Sequence, residues 1–265
     1  MTSRRPLPAA VLCDLDGVVW LAHQPISGAA EGVAGLRAAG VRVLFVTNNS
    51  SAEVAGQEAA LAAIGIPATG DVITSATAAA DLVQPAERVL VVGGPGVTEA
   101  VVRRGATPVP NDVDPVGAID VVMVGFHREF DYERLRRAAT AALGGARLIA
   151  TNDDPTYPTP SGPIPGGGAL VAAVAAASGM TPVIAGKPHR PMADTVLDVL
   201  GGPDPASLVM VGDRDSTDGA FARTLGCPFA LVRSGVTPLD VSVAPAPDID
   251  RPTLGDVVED LLRLR

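Results

Sequence analysis

Seven short runs, at 9–13, 41–46, 88–92, 119–124, 147–150, 207–211 and 229–232, are apolar almost without interruption. A strand that buries one face alternates apolar and polar residues, whereas a strand apolar throughout must be covered on both faces. Alanine- and leucine-rich stretches of helical length lie between them, at 29–39, 53–64, 96–104, 132–143, 167–177, 191–200 and 216–225, and an amphipathic stretch at 254–264 follows the last strand. Strand–helix alternation over 265 residues predicts an α/β fold of parallel sheets joined by right-handed crossovers.

Composition narrows the function classes. With 47% hydrophobic and 18% charged residues, the chain can bury a sizeable core. Its net charge of −9 argues against nucleic acid or an anionic membrane surface as the main partner. The longest greasy stretch, 166–180, falls short of the roughly 20 residues that cross a bilayer. Arg4 and Arg5 precede an apolar segment that Asp14 and Asp16 interrupt, so no secretory signal is expected. Cys13 and Cys227 make no disulfide framework and no metal-binding pattern, which suits a reducing cytoplasm. Nineteen of the 20 basic residues are arginine, and Lys187 is the one lysine.

Polar residues gather where the predicted strands end, the edge at which open α/β sheets bind ligands. Asp14-Leu15-Asp16-Gly17 follows the first strand, and two carboxylates so close repel unless a cation or a shared proton offsets them. Taken alone, such a pair is in most sequences a helix cap or an acidic turn. Thr47-Asn48-Asn49-Ser50 follows the second strand, and its hydroxyls, amides and backbone N–H groups can hold an anion or cap a helix. Gly186-Lys187-Pro188 carries the single lysine, and Gly212-Asp213-Arg214-Asp215-Ser216-Thr217-Asp218 follows the strand at 207–211. Clustered carboxylates suit a hard dication such as Mg²⁺. A lysine and a hydroxyl-and-amide turn suit phosphate oxygens, and a leading carboxylate facing that phosphate suits a nucleophile.

In this order the four segments resemble the haloacid dehalogenase superfamily. Asp14-Leu15-Asp16-Gly17-Val18-Val19-Trp20 with Thr47-Asn48-Asn49-Ser50 is similar to its subfamily IIA, the p-nitrophenylphosphatase and NagD-like phosphatases. The separation from Asn48 to Lys187, with 150–152 and 165–170, resembles the large C2-type cap inserted there. The resemblance implies a Rossmann-like parallel-sheet core at 1–81 and 184–265 and a smaller α/β cap at 82–183. It implies Asp14 as nucleophile and Asp16 as general acid and base. Mg²⁺ is then the cofactor, held by Asp14, the main-chain carbonyl of Asp16 and Asp213, with Asp218 orienting its waters. Thr47, Asn48 and Lys187 bind the phosphate. Asp215 stands where the subfamily has an apolar residue and receives no role.

The implied enzyme is a cytoplasmic phosphoric monoester hydrolase. Its expected partner is a small phosphorylated metabolite: a sugar phosphate, glycerol phosphate, phosphoglycolate, pyridoxal phosphate or a nucleotide. Relatives that dimerise through the cap leave room for a homodimer. The competing readings are a dehalogenase or a phosphotransferase on the same fold, and a non-enzymatic phospho-aspartate signalling module. A dehalogenase leaves Asp16, Asp213 and Asp218 without a job, and a signalling module is about half this length. The stretch 151–168 reads as a long irregular loop, often functional in such folds, and Asn152, Asp154 and Tyr157 are its candidates to contact a leaving group.

Overall fold

The computed structural model describes residues 6–21, 23–157, 159 and 162–263. Arg4, Arg5 and the last residue of the predicted 254–264 helix lie outside that set. Two compact units form, one of Met1–Thr47, Ala55–Ile73 and Val196–Arg265, the other of Asn48–Val54 and Thr74–Thr195.

The first unit is built on a six-stranded sheet ordered 249–251, 229–232, 208–212, 10–13, 42–47, 72–74. The strand Ala10–Cys13 runs parallel to both neighbours, with Leu12 opposite Met210 on one side and Leu44 on the other. Every residue of Ala10–Cys13, Leu208–Gly212 and Phe229–Val232 is buried, as the continuous apolar runs require. The helices Ala29–Ala38 and Leu254–Arg263 pack on one another. The latter buries Leu254, Val257, Val258 and Leu261, the helical spacing that its sequence announces.

The second unit carries a five-stranded parallel sheet ordered 183–184, 147–150, 121–124, 88–92, 107–110. Leu90, Val92, Val122, Val124, Leu148 and Ala150 meet Ala138 and Ala142 of the helix Tyr132–Leu143 and Leu170, Val171 and Val174 of the helix Gly167–Ser178. Asp131 caps Tyr132–Leu143 by accepting from the Arg134 N–H at 2.8 Å.

The expected α/β class with parallel sheets is borne out. Several short elements escaped the sequence reading. Thr107–Pro110 holds two prolines and survives as a strand because it lies at the sheet edge, where a missing N–H costs no ladder bond. Ser75–Asp81 is a seven-residue helix, capped where the Thr77 N–H donates to Thr74 Oγ1 at 3.2 Å. The stretch 151–168 is not irregular throughout: Thr156–Tyr157 pairs antiparallel with Ile164–Pro165, so part of it is a hairpin. Residues 158, 160 and 161 lie outside the described set. The helix expected at 216–225 begins as a π-helical turn, Asp215–Gly219, before Ala220–Leu225 continues it. No helix among the described residues is long and apolar enough to cross a membrane.

Candidate active site

In the first unit the strands Ala10–Cys13 and Leu208–Gly212 end side by side, and their next residues are Asp14 and Asp213. The Asp14 N–H continues the ladder by donating to the Val211 carbonyl at 2.9 Å. Asp218 reaches the same place from the π-helical turn, in which the Arg214 carbonyl accepts from the Asp218 N–H at 2.8 Å and the Gly219 N–H at 3.3 Å. Such wide turns recur at functional sites, because one extra residue per turn re-aims a side chain. Carboxylate oxygens of Asp14, Asp213 and Asp218 all lie within 4.8 Å of one another, and Asp213 and Asp218 are buried.

Asp213 and Asp218 are held by fixed donors. The Val236 N–H donates to Asp213 Oδ2 at 2.7 Å, the Thr237 hydroxyl to the Asp213 carbonyl at 2.5 Å, and the Arg214 N–H to Asp218 Oδ2 at 3.2 Å. Two glycines make room. A Cβ on Gly17, whose φ is +84°, or on Gly235 would run into the Asp213 carboxylate. Oxygen-only donors from three converging acids fit a hard divalent cation.

Asp16 lies in the turn beyond the strand. There the Val19 N–H donates to the Leu15 carbonyl at 2.9 Å and the Gly17 N–H to the Trp20 carbonyl at 2.7 Å. The indole of Trp20, fully buried, donates to Asp16 Oδ1 at 3.1 Å, which orients a carboxylate outside the group of three. The Ser234 hydroxyl ties the turn down through the Gly17 carbonyl at 2.6 Å. Thr47 closes the strand Arg42–Thr47 and is buried. Asp215 is taken by Arg223, whose Nη1 donates to its Oδ1 at 2.9 Å, so it serves the local helix. Ser234, Gly235, Val236 and Thr237 were passed over in the sequence. Their signal was a fifth polar segment directly after an apolar strand, Phe229–Val232.

In the second unit Asn48 and Lys187 are brought together. The Lys187 N–H donates to Asn48 Oδ1 at 2.8 Å, and Asn48 Nδ2 donates to the Lys187 carbonyl at 2.9 Å. Lys187 is buried, which few lysines tolerate without partners. The candidates of the 151–168 stretch divide. Asn152 Nδ2 donates to the Asn48 carbonyl at 2.8 Å and Asp154 Oδ2 accepts from Asn48 Nδ2 at 2.9 Å, so both brace the turn. Tyr157 instead stacks on Phe126, with ring centroids 4.8 Å apart and planes 18° from parallel. His127, beside Phe126, is held below its ordinary pKa by partial burial, with the Arg134 charge adding to the effect.

The sequence profile of haloacid dehalogenase-like hydrolases matches residues 11–107, and a second HAD-hydrolase-like profile matches 184–264. The D-glycerol 3-phosphate phosphatase of Mycobacterium tuberculosis is 38% identical over 248 residues, covering 92% of this chain and 67% of that protein. A p-nitrophenyl phosphatase from Archaeoglobus fulgidus superposes with a TM-score of 0.87 at 29% identity, over 96% of this chain and 100% of that one. A glycerol phosphate phosphatase from Mycobacterium tuberculosis, solved in complex with magnesium, superposes with a TM-score of 0.84 at 32% identity, over 97% of this chain and 78% of that one.

Proposed function

The chain belongs to the haloacid dehalogenase-like hydrolases, and from that premise we propose that it is a Mg²⁺-dependent phosphatase. It hydrolyses a small phosphorylated metabolite through an aspartyl phosphate on Asp14. The observation that carries this reading is the convergence of Asp14, Asp213 and Asp218 at the ends of adjacent parallel strands. The names of the relatives, each a phosphatase of a small phosphate ester, support the reaction class.

Mg²⁺ would be held by Asp14, Asp213 and the main-chain carbonyl of Asp16, with Asp218 outside them, and supplies the charge neutralisation that lets a phosphate dianion approach a carboxylate. Asp14 attacks phosphorus in line with the ester oxygen, and the ester P–O bond breaks as the Asp14 O–P bond forms. Asp16, its carboxyl oriented by the Trp20 indole, gives its proton to the departing alkoxide. It then takes a proton from the water that attacks the aspartyl phosphate, which returns free phosphate and the Asp14 carboxylate. Thr47, Asn48 and Lys187 are assigned to the phosphate oxygens, with the lysine charge offsetting the negative charge that collects there. Positioning and electrostatics of this kind supply most of the acceleration in phosphoryl transfer.

The division proposed is a core of 1–81 and 184–265 and a cap of 82–183 that reads the leaving group. It is supported by the two separate sheets, one including 72–74 and the other beginning at 88–92. A net charge of −9 and two cysteines in no bridge suit a small-molecule hydrolase of a reducing cytoplasm. The deciding experiment measures phosphate release from glycerol phosphate, sugar phosphates, phosphoglycolate, pyridoxal phosphate and nucleotides, with and without Mg²⁺. Multiple turnovers that stop on chelation and a radiolabelled phosphate trapped on Asp14 are expected. Stoichiometric labelling without release would mark a signalling module, and turnover indifferent to Mg²⁺ would sink the reading.

A further inference from the structure

The side-chain amide of Asn48 has two N–H groups, and both are committed within its own unit. One donates to Asp154 Oδ2 and the other to the Lys187 carbonyl, each at 2.9 Å. Its oxygen accepts the Lys187 N–H at 2.8 Å. The orientation of the amide is therefore determined: two acceptors face the nitrogen and one donor faces the oxygen. Gripping the N–H and the C=O of one residue makes a two-point clamp on the lysine main chain. The clamp is itself braced. The Ser75 hydroxyl and Asn152 Nδ2 both donate to the Asn48 carbonyl at 2.8 Å. Gly186 lets the strands of chain approach, since a Cβ there would stand 2.6 Å from Asn48 Oδ1 and 2.5 Å from the Thr151 carbonyl.

We infer that Asn48 is a positioning residue for Lys187. Its side chain serves the phosphate by fixing the root of the lysine, and it makes no amide contact with phosphate of its own. Within the phosphate-binding turn Asn48 contributes through its main chain. Asp154 is the anchor that keeps the amide from rotating. This inference rests on the proposed assignment of Lys187 to the phosphate and deepens it. A lysine ammonium ends a flexible stem, so the precision of its charge depends on how firmly the main chain beneath it is held.

The test is a double-mutant cycle on Asn48→Ala and Lys187→Ala, with kcat and KM for p-nitrophenyl phosphate measured separately in Mg²⁺. Asn48→Ala is expected to lower kcat about ten- to hundredfold, the range a misplaced catalytic charge produces, with KM changed less than about threefold. In the Lys187→Ala background the same substitution should change kcat by less than about twofold, because groups acting as one unit are not additive. Equal losses in both backgrounds would overturn the inference and make Asn48 a phosphate ligand in its own right. Asn48→Asp is the second variant. It keeps the acceptor for the Lys187 N–H, removes both donors, and should reproduce the non-additive loss if the alanine protein does not fold. Amide hydrogen exchange at Lys187 separates the two claims. If the wild-type protein released no phosphate from any ester, the functional reading would fall. Faster Lys187 exchange in Asn48→Ala would still establish the clamp, and unchanged exchange would refute it.

Discussion

The two units handle charge in opposite ways. The first gathers three carboxylates within 4.8 Å and fixes two of them with the Val236 N–H on Asp213 and the Arg214 N–H on Asp218, while the Thr237 hydroxyl holds the Asp213 carbonyl. The second gathers Asn48, Asn152, Asp154 and the Lys187 main chain into a network whose members satisfy one another. A cluster of like charges stores repulsion and calls for a cation. A network of amides, main chain and one carboxylate joined by hydrogen bonds holds its geometry. Changes in the first unit should therefore appear in chemistry and metal affinity, and changes in the second in placement.

The largest effect tests the acidic cluster directly. Asp14→Asn should lower phosphate release by at least about 10³-fold in a steady-state assay, since no intermediate can form without the nucleophile. Its fold should persist, because relieving one of three like charges does not destabilise the cluster. Turnover near wild type would break the comparison at its root. Next comes Asp213→Ala, which removes a carboxylate and leaves the Val236 N–H unmatched. The Mg²⁺ concentration for half-maximal activity should rise at least about tenfold, the scale on which perturbed metal surroundings act. An unchanged titration would place the cation elsewhere.

A smaller effect is expected of Lys187→Arg. The charge is kept, but the planar guanidinium cannot take the place of a compact ammonium, and kcat should fall about tenfold or more. Because Lys187 is buried, the bulkier side chain also overpacks its site, and a loss of about 1–3 kcal/mol should register as a lower denaturant midpoint. Wild-type kinetics would reduce the single lysine to an accident of composition.

The smallest effect belongs to a group outside the site. Burial pushes the Cys227 thiol up to about 11. A thiol whose folded pKa is raised contributes its stability below the unfolded value of 9.0, and that contribution is lost as pH rises through about 11. Chemical-denaturation midpoints should fall over that window in the wild type and less in Cys227→Ala, while Mg²⁺ affinity at neutral pH stays the same in both.

The long apolar strands and the order of the four polar segments were legible in the sequence because each depends on local pattern. A run such as 207–211 can bury itself only inside a covered sheet, and polar residues directly behind it must lie at the sheet edge. The short elements were not legible. Val183–Ile184 and Ile249–Arg251 are strands only because a neighbour offers them a ladder, and no periodicity fits in two or three residues.

What the sequence by itself determined is the α/β class, and it singled out Asp14, Asp16, Asp213 and Lys187 as the residues proposed to carry the chemistry. What only the tertiary structure decided is which partners those residues keep. That Gly235 and Val236 cradle Asp213 and that Asn48 grips Lys187 across 139 positions of chain are long-range pairings. A hydrogen bond is specified by geometry within a few tenths of an ångström. That geometry does not exist until the sheets have set the ends of their strands side by side.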